Sequence, residues 1–297
     1  MKALAAAQPR QDRLRLAVAL SLAAFFCFTM IDTLAKALVA TLPALQVVFI
    51  RYAGHFAFSL AVFVPREGLN VFRSHAPALQ MARATLLLAG TSFNFLALKS
   101  LPLTFTTAVF FASPIVVCLL SIPLLGEKVG ARRLAAVFVG FIGVLIIVQP
   151  GSAGFEPAML YSLGALLSAS LYFVLTRRVA GRDDNPTGQI YTSALPTLAL
   201  APFVIPGWIQ PVGLAWIPTL LIGIFGGLGH SLFTVAHRYG EASVLAPIVY
   251  VQILYATAIS WLVFAHAPAA NTILGTAVIV ASGFYIWLRE RQKKPNS

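Results

Sequence analysis

Ten long apolar runs, separated by proline, glycine and charged residues, dominate this chain at about 16–39, 44–64, 79–99, 104–125, 134–149, 158–177, 188–206, 215–236, 243–264 and 271–288. A helix that crosses the roughly 30 Å hydrocarbon core of a bilayer takes about 20 mainly apolar residues, and the runs match that length, the fifth being the shortest. They are apolar on all sides. An outer-membrane barrel would instead alternate apolar and polar residues in segments of about ten. The expectation is therefore an all-α membrane protein with ten transmembrane helices and the lipid bilayer as its solvent. Composition excludes a soluble alternative, because 59% of residues are hydrophobic and 10% charged, against about 25% charged in soluble domains.

The basic residues test this division independently, since Lys and Arg accumulate in cytoplasmic loops. With ten crossings, 18 of the 21 Lys and Arg fall on one side and Lys99 stands on the other, while Lys36 and Arg51 lie within runs. Both termini are thus expected in the cytoplasm, with residues 1–15 as an N-terminal segment and 289–297 as a basic tail. The net charge of +12 follows from topology and implies no nucleic acid. The first run is too long for a signal-peptide core and is expected to be retained. Cys27 and Cys118 sit apart inside apolar runs, which suits small core residues rather than a disulfide framework or metal motif.

The chain also repeats itself. A shift of 139 residues places Ala97-Leu98-Lys99 on Ala236-His237-Arg238, Thr104 on Ser243 and Phe111 on Tyr250, and a shift of 140 places Gly143 on Gly283. The units are 16–149 and 158–288, joined by a linker at 150–157. Five crossings per unit make the two units enter the membrane from opposite sides. Inverted repeats of this kind characterise secondary transporters, which bind substrate near the midplane and alternate access by rocking one part against another.

Asp32-Thr33-Leu34-Ala35-Lys36, Leu42-Pro43-Ala44-Leu45-Gln46 with Phe49-Ile50-Arg51, and Gly126-Glu127-Lys128 leading into Gly140-Phe141-Ile142-Gly143-Val144 resemble the EamA family of the drug/metabolite transporter superfamily. The resemblance covers nearly the whole chain. It implies two inverted five-helix repeats, a central substrate cavity and transport without ATP hydrolysis. Many members carry a Trp-Gly pair in the first span where this chain has Phe26-Cys27, so a member's substrate does not transfer directly.

Ionisable side chains at membrane depth are costly and mark partners or cavities. Asp32 and Lys36 are one helical turn apart, as are Arg51 and His55. At about 1.5 Å rise per residue, Asp32 and Arg51 lie at similar depth, roughly 10–12 Å below the outer helix ends. The short link at 41–43 makes the first two spans neighbours. Asp32, Lys36 and Arg51 therefore read either as a structural ion-pair group that locks these helices or, for Lys36 and Arg51, as holders of a substrate carboxylate. His55, Asn94, Tyr172, His230, Tyr250 and Gln252 complete the substrate-binding candidates. His55 or His230 also makes protons a candidate coupling partner. Pro114 and Pro247 are expected to kink the fourth and ninth spans as gates. Among the aromatics, Phe110, Phe111 and Phe173 are as well explained by packing.

No Walker sequence, HExxH or cysteine cluster is present, so no catalytic residue, cofactor or metal is expected. The reading is a carrier of small amphipathic metabolites in a bacterial cytoplasmic membrane, as monomer or homodimer, most simply of an amino acid, and the resemblance implies that it is an exporter. Uptake of a vitamin or nucleotide-like metabolite, of riboflavin or S-adenosylmethionine type, is the rival transport reading. A non-transporting membrane enzyme or sensor is the rival from another class.

Overall fold

The structure is a computed structural model that describes residues 10–126, 131–149, 152, 154–179, 182–239 and 246–292. The expected Glu127-Lys128 motif and most of the terminal basic segments lie outside these residues. Everything regular among the described residues is helical: α1 (Arg10–Leu38), α2 (Ala44–Glu67), α3 (Pro77–Ser100), α4 (Leu103–Phe110), α5 (Ser113–Leu125), α6 (Ala131–Val148), α7 (Ala158–Val179), α8 (Asn185–Val204), α9 (Trp216–Tyr239), α10 (Val251–Phe264) and α11 (Ala270–Gln292), with short 3-10 turns. Seven spans are long and apolar enough to cross a membrane, with α4 and α5 together making one. Three further apolar helices, Ala135–Val148, Ile248–Phe264 and Ala270–Tyr285, are shorter.

Proline sets several helix starts. Pro43 and Pro102 occupy the N-cap positions of α2 and α4, and Pro77, Pro114 and Pro186 sit in the first turns of α3, α5 and α8, where a missing N–H costs nothing. The expected kink at Pro114 is a full break. Its ring would clash with the carbonyl four residues back, that of Phe110, and α4 ends at that residue. Phe111 and Ala112 form a tight turn, Ala112 N–H donating to the Val109 carbonyl at 3.1 Å, before α5 resumes. Pro247 likewise lies in a 3-10 turn, Ala246–Tyr250, that runs directly into α10. Phe111, in the first turn, and Tyr250, at the end of the second, stand 139 residues apart.

Large apolar side chains cover the outside, and a set of polar side chains is buried within the bundle. Phe203 is 77% exposed and Leu262 76%, whereas His55 and Gln80 are fully buried and Arg51 is 4% exposed. Two buried apolar clusters, one built mainly on α4–α7 and the other on α1–α3, flank that interior.

Lipid tails supply no hydrophobic drive between helices, so close packing through small residues has to hold them together. The helices pair accordingly. Helix α9 lies between α1 and α2 and packs on both, which corrects the expectation that the first two spans are each other's main neighbours. Its glycines make this possible: Gly223, Gly226 and Gly227 face Gly54, His55 and Phe58 of α2, and Gly229 faces Cys27 and Phe28 of α1. At Gly54 an added Cβ would lie 2.8 Å from the Gly223 Cα, so the two backbones are in direct contact. Helix α7 packs along α3, α8 along α2, and α6 along α11. The last pair runs antiparallel, Gly140 against Ser282 and Gly143 against Gly275.

Candidate functional site

Because α2 presents Arg51 and His55 on one face and α9 approaches it through glycines, these two side chains of α2 meet His230. Arg51 Nη2 lies 3.4 Å from His230 Nε2. The rings of His55 and His230 stack in parallel, 5.4 Å between centroids and 3° between planes, and Phe28 of α1 packs 5.0 Å from His230. The Arg51 guanidinium also rests 4.3 Å from the ring centroid of Tyr52. On the other side His55 Nε2 is 3.0 Å from Gln189 Oε1 of α8. Tyr52 is fixed by its hydroxyl, 2.9 Å from the Leu87 carbonyl and 2.8 Å from Thr91 of α3.

Three donor or acceptor atoms in this cluster, Arg51 Nε, Arg51 Nη1 and His55 Nδ1, are buried without a protein partner. A buried charged donor left unsatisfied costs more than a satisfied one gains. Such an arrangement is kept where something else completes it.

A second cation adjoins the cluster. Arg83 of α3 donates through Nη1 to Gln80 Oε1 at 2.8 Å and through Nη2 to the Tyr172 hydroxyl at 3.3 Å, and its guanidinium is 5.2 Å from the Tyr172 ring centroid. Both Arg51 and Arg83 are near enough to His230 to act on it electrostatically. Arg51, with two unpartnered guanidinium nitrogens beside a buried pair of imidazoles, can hold an anionic group.

Not every candidate joins this centre. The anticipated Asp32–Lys36 bridge is absent: Asp32 Oδ1 accepts from Asn94 Nδ2 at 2.8 Å, and Lys36 Nζ donates to the Leu98 and Leu101 carbonyls at 3.2 and 2.8 Å. Lys36 thus serves the C-terminal end of α3, where orphan carbonyls and the helix dipole favour a cation. Arg51 acts on Asp32 through space, while its direct contact is His230. Tyr172 touches Arg83 rather than Arg51. Tyr250 packs edge-on against Phe111, 5.5 Å between ring centroids, with its hydroxyl against Gly283, so it belongs to the helix breaks. Gln252 is buried in α10.

Gln189 and Arg83 were not among the sequence candidates. Gln189 is the second residue of the seventh run and Arg83 the fifth of the third, so both stand near the boundaries of their runs. The helices start earlier, at Asn185 and Pro77, which places both side chains inside the bundle. Polar residues within the first two turns of an apolar run were the available signal.

The interior is tied off at both ends by related devices. At one end Gln46, in the first turn of α2, clasps the backbone of Ile209 in the α8–α9 connection: its Nε2 donates to the Ile209 carbonyl at 2.6 Å and its Oε1 accepts the Ile209 N–H at 3.0 Å. At the other end Asp183, just before α8, accepts from Ser74 Oγ at 2.5 Å, the His75 N–H at 2.7 Å and Gln80 Nε2 at 2.9 Å, binding the α2–α3 connection.

Partial burial pushes the Asp183 carboxyl up, but the bonds from Ser74, Gln80 and His75 outweigh it and hold the group below its ordinary 3.8. A carboxyl depressed in the fold contributes stability that is complete above its unfolded pKa and disappears as pH falls through the folded one. Asp183→Asn is expected to lower thermal stability at neutral pH by about 1 kcal/mol and to flatten the loss of stability below about pH 4. Melting curves of the two proteins across pH check this, and superimposable profiles would refute it.

A bundle with an apolar exterior, a polar centre and this many membrane-long helices is a multi-pass membrane protein. The chain belongs to the EamA-like transporter family, whose model matches residues 15–149 and 156–288. It is a transporter and not an enzyme. Among its relatives are a riboflavin transporter of Rhizobium johnstonii, 30% identical with 85% of this chain and 84% of the relative covered, and an S-adenosylmethionine uptake transporter of Rickettsia prowazekii, 24% identical with 88% of each covered. A pseudopaline exporter of Pseudomonas aeruginosa is 28% identical, covering 91% of this chain and 95% of its own. A solved crystal structure shares the fold over 93% of this chain and 99% of its own, with a TM-score of 0.64 at 22% identity.

Proposed function

We propose that this chain is a secondary carrier of the bacterial cytoplasmic membrane for a small metabolite bearing an anionic head group of the α-amino acid kind, with Arg51 as the anion anchor. The observation that carries the reading is the buried Arg51 guanidinium with Nε and Nη1 unpartnered, flanked by Arg83. A guanidinium offers a planar fork matched to carboxylate. Free amino acids and S-adenosylmethionine both end in such a group, so the exporter and uptake readings share one site chemistry.

The carrier is built from ten spans in two inverted units, 16–149 and 158–288. Supporting this are the two matched family segments, the turns at Phe111 and Tyr250, 139 residues apart, and the pairing of α1 with α9 answered by that of α7 with α3. The Gln46 and Asp183 clasps close opposite ends, and alternating access opens them one at a time. The excess of basic residues puts the Asp183 clasp and both termini in the cytoplasm.

A second reading, a planar uncharged cargo of riboflavin type, is favoured by the parallel His55–His230 stack beside Phe28. Counterflow in proteoliposomes separates the two whichever direction the cell uses. Labelled amino acids or S-adenosylmethionine are expected to exchange. Exchange of riboflavin alone would replace the first reading with the second, and exchange of none of these would reject both.

A further inference from the structure

We propose that Gln189 is a positioning residue that fixes the tautomer of His55, so that the site presents one nitrogen acceptor beside the Arg51 donors and reads a head group carrying an N–H donor next to its anion. This rests on the assignment of Arg51 as the anion anchor.

The hydrogen-bond partners dictate the tautomers, because arginine has donors and no acceptor. His230 Nε2 faces Arg51 Nη2, so it is the bare nitrogen of a neutral ring whose proton sits on Nδ1. His55 Nε2 faces Gln189 Oε1, an acceptor, so there the proton sits on Nε2 and Nδ1 is bare. The Gln189 amide is oriented by its other end, Nε2 lying 3.5 Å from Asn185 Oδ1. The two stacked rings are thus held in opposite tautomers by partners on different helices.

The consequence falls on His55 Nδ1. It is buried without a protein partner and lies toward α9 at Gly226, where an added Cβ would be in ordinary van der Waals contact with the His55 side chain, 4.0 Å from Nδ1. Arg51 and His55 are one turn apart on α2 and both side chains contact His230, so one helix carries the unpartnered donors of Arg51 and the unpartnered acceptor of His55 to the same neighbour. Donors beside one acceptor complement a carboxylate beside an ammonium. An imidazole in the other tautomer would offer a donor there and repel the ammonium. Gln189 is itself 6% exposed and needs no contact with cargo to exert this choice.

The test uses the full-length protein in lipid bilayers with nitrogen-15-labelled histidine, His55 and His230 assigned by single substitution. The expected spectrum shows His55 with a pyridine-type Nδ1 and His230 with a pyridine-type Nε2. Gln189→Glu, which keeps the acceptor, is expected to preserve the His55 pattern, and Gln189→Leu to lose it. In counterflow with S-adenosylmethionine, Gln189→Leu is expected to raise KM roughly tenfold with the maximal rate retained, and to leave the analogue lacking the α-amino group unaffected. A wild-type His55 protonated at Nδ1 would overturn the inference and leave the Arg51 assignment standing. Equal losses for both probes would overturn the acceptor role. Correct tautomers with no exchange of any carboxylate probe would overturn the carrier reading and the inference with it.

Discussion

Arg51→Ala is expected to remove transport while the protein still inserts and folds. The side chain is 4% exposed, and its direct hydrogen-bond contact is His230 Nε2 at 3.4 Å, a modest tie to lose. Besides that tie and the stack on Tyr52, the substitution takes away the two unpartnered guanidinium nitrogens. Hydrogen bonds to charged groups contribute about 1.5–3 kcal/mol each, and about 1.4 kcal/mol is tenfold in affinity, so loss of two raises KM by about 100-fold or more. Arg51→Lys keeps the charge without the planar fork and is expected to recover only part of the loss. Counterflow kinetics on variants checked for folding by thermal melting make the measurement. A folded Arg51→Ala protein with unchanged KM and maximal rate would exclude Arg51 from binding.

The largest structural effect is expected at Gly223. A Cβ there would meet the Gly54 backbone, its carbonyl carbon at 2.7 Å, and the His55 backbone nitrogen at 3.0 Å. No flexible side chain can yield, so α9 must move away from α2. Overpacking of this kind costs about 1–3 kcal/mol, and the displacement also separates Arg51 and His55 from His230. Gly223→Ala should therefore lower the melting temperature and transport together, and Gly223→Leu should prevent accumulation of folded protein. Gly207→Ala is the control, since nothing lies within 4 Å of its Cβ position. If Gly223→Ala melts and transports like the wild type, the backbone contact does not organise the site.

The helix content and three of the central polar side chains were legible from single residues. Arg51, His55 and His230 stood out because charge or imidazole inside an apolar run is expensive, and they do converge. Gly226, Gly227 and Gly229 precede His230, and α9 uses the first two against α2 and the third against α1. Partners were harder to read. Asp32 and Lys36 share a helical face and a favourable order, yet Asn94 takes the acid and the end of α3 takes the lysine. Helical spacing shows that two residues could meet, while the neighbouring helix decides whether they do.

Run length, charge placement and the offset of 139 residues are properties of local order along the chain, so membrane class, helical content and an internal repeat could be read without coordinates. The insertion of α9 between α1 and α2, the recruitment of Gln189 and Arg83 into the centre, and the opposite tautomers of two stacked imidazoles depend on contacts between residues more than a hundred positions apart in most cases. Spacing along one helix carries no information about such contacts. They arise only when helices of similar polarity choose among neighbours by the fit of small residues, which is where this protein acquires its site.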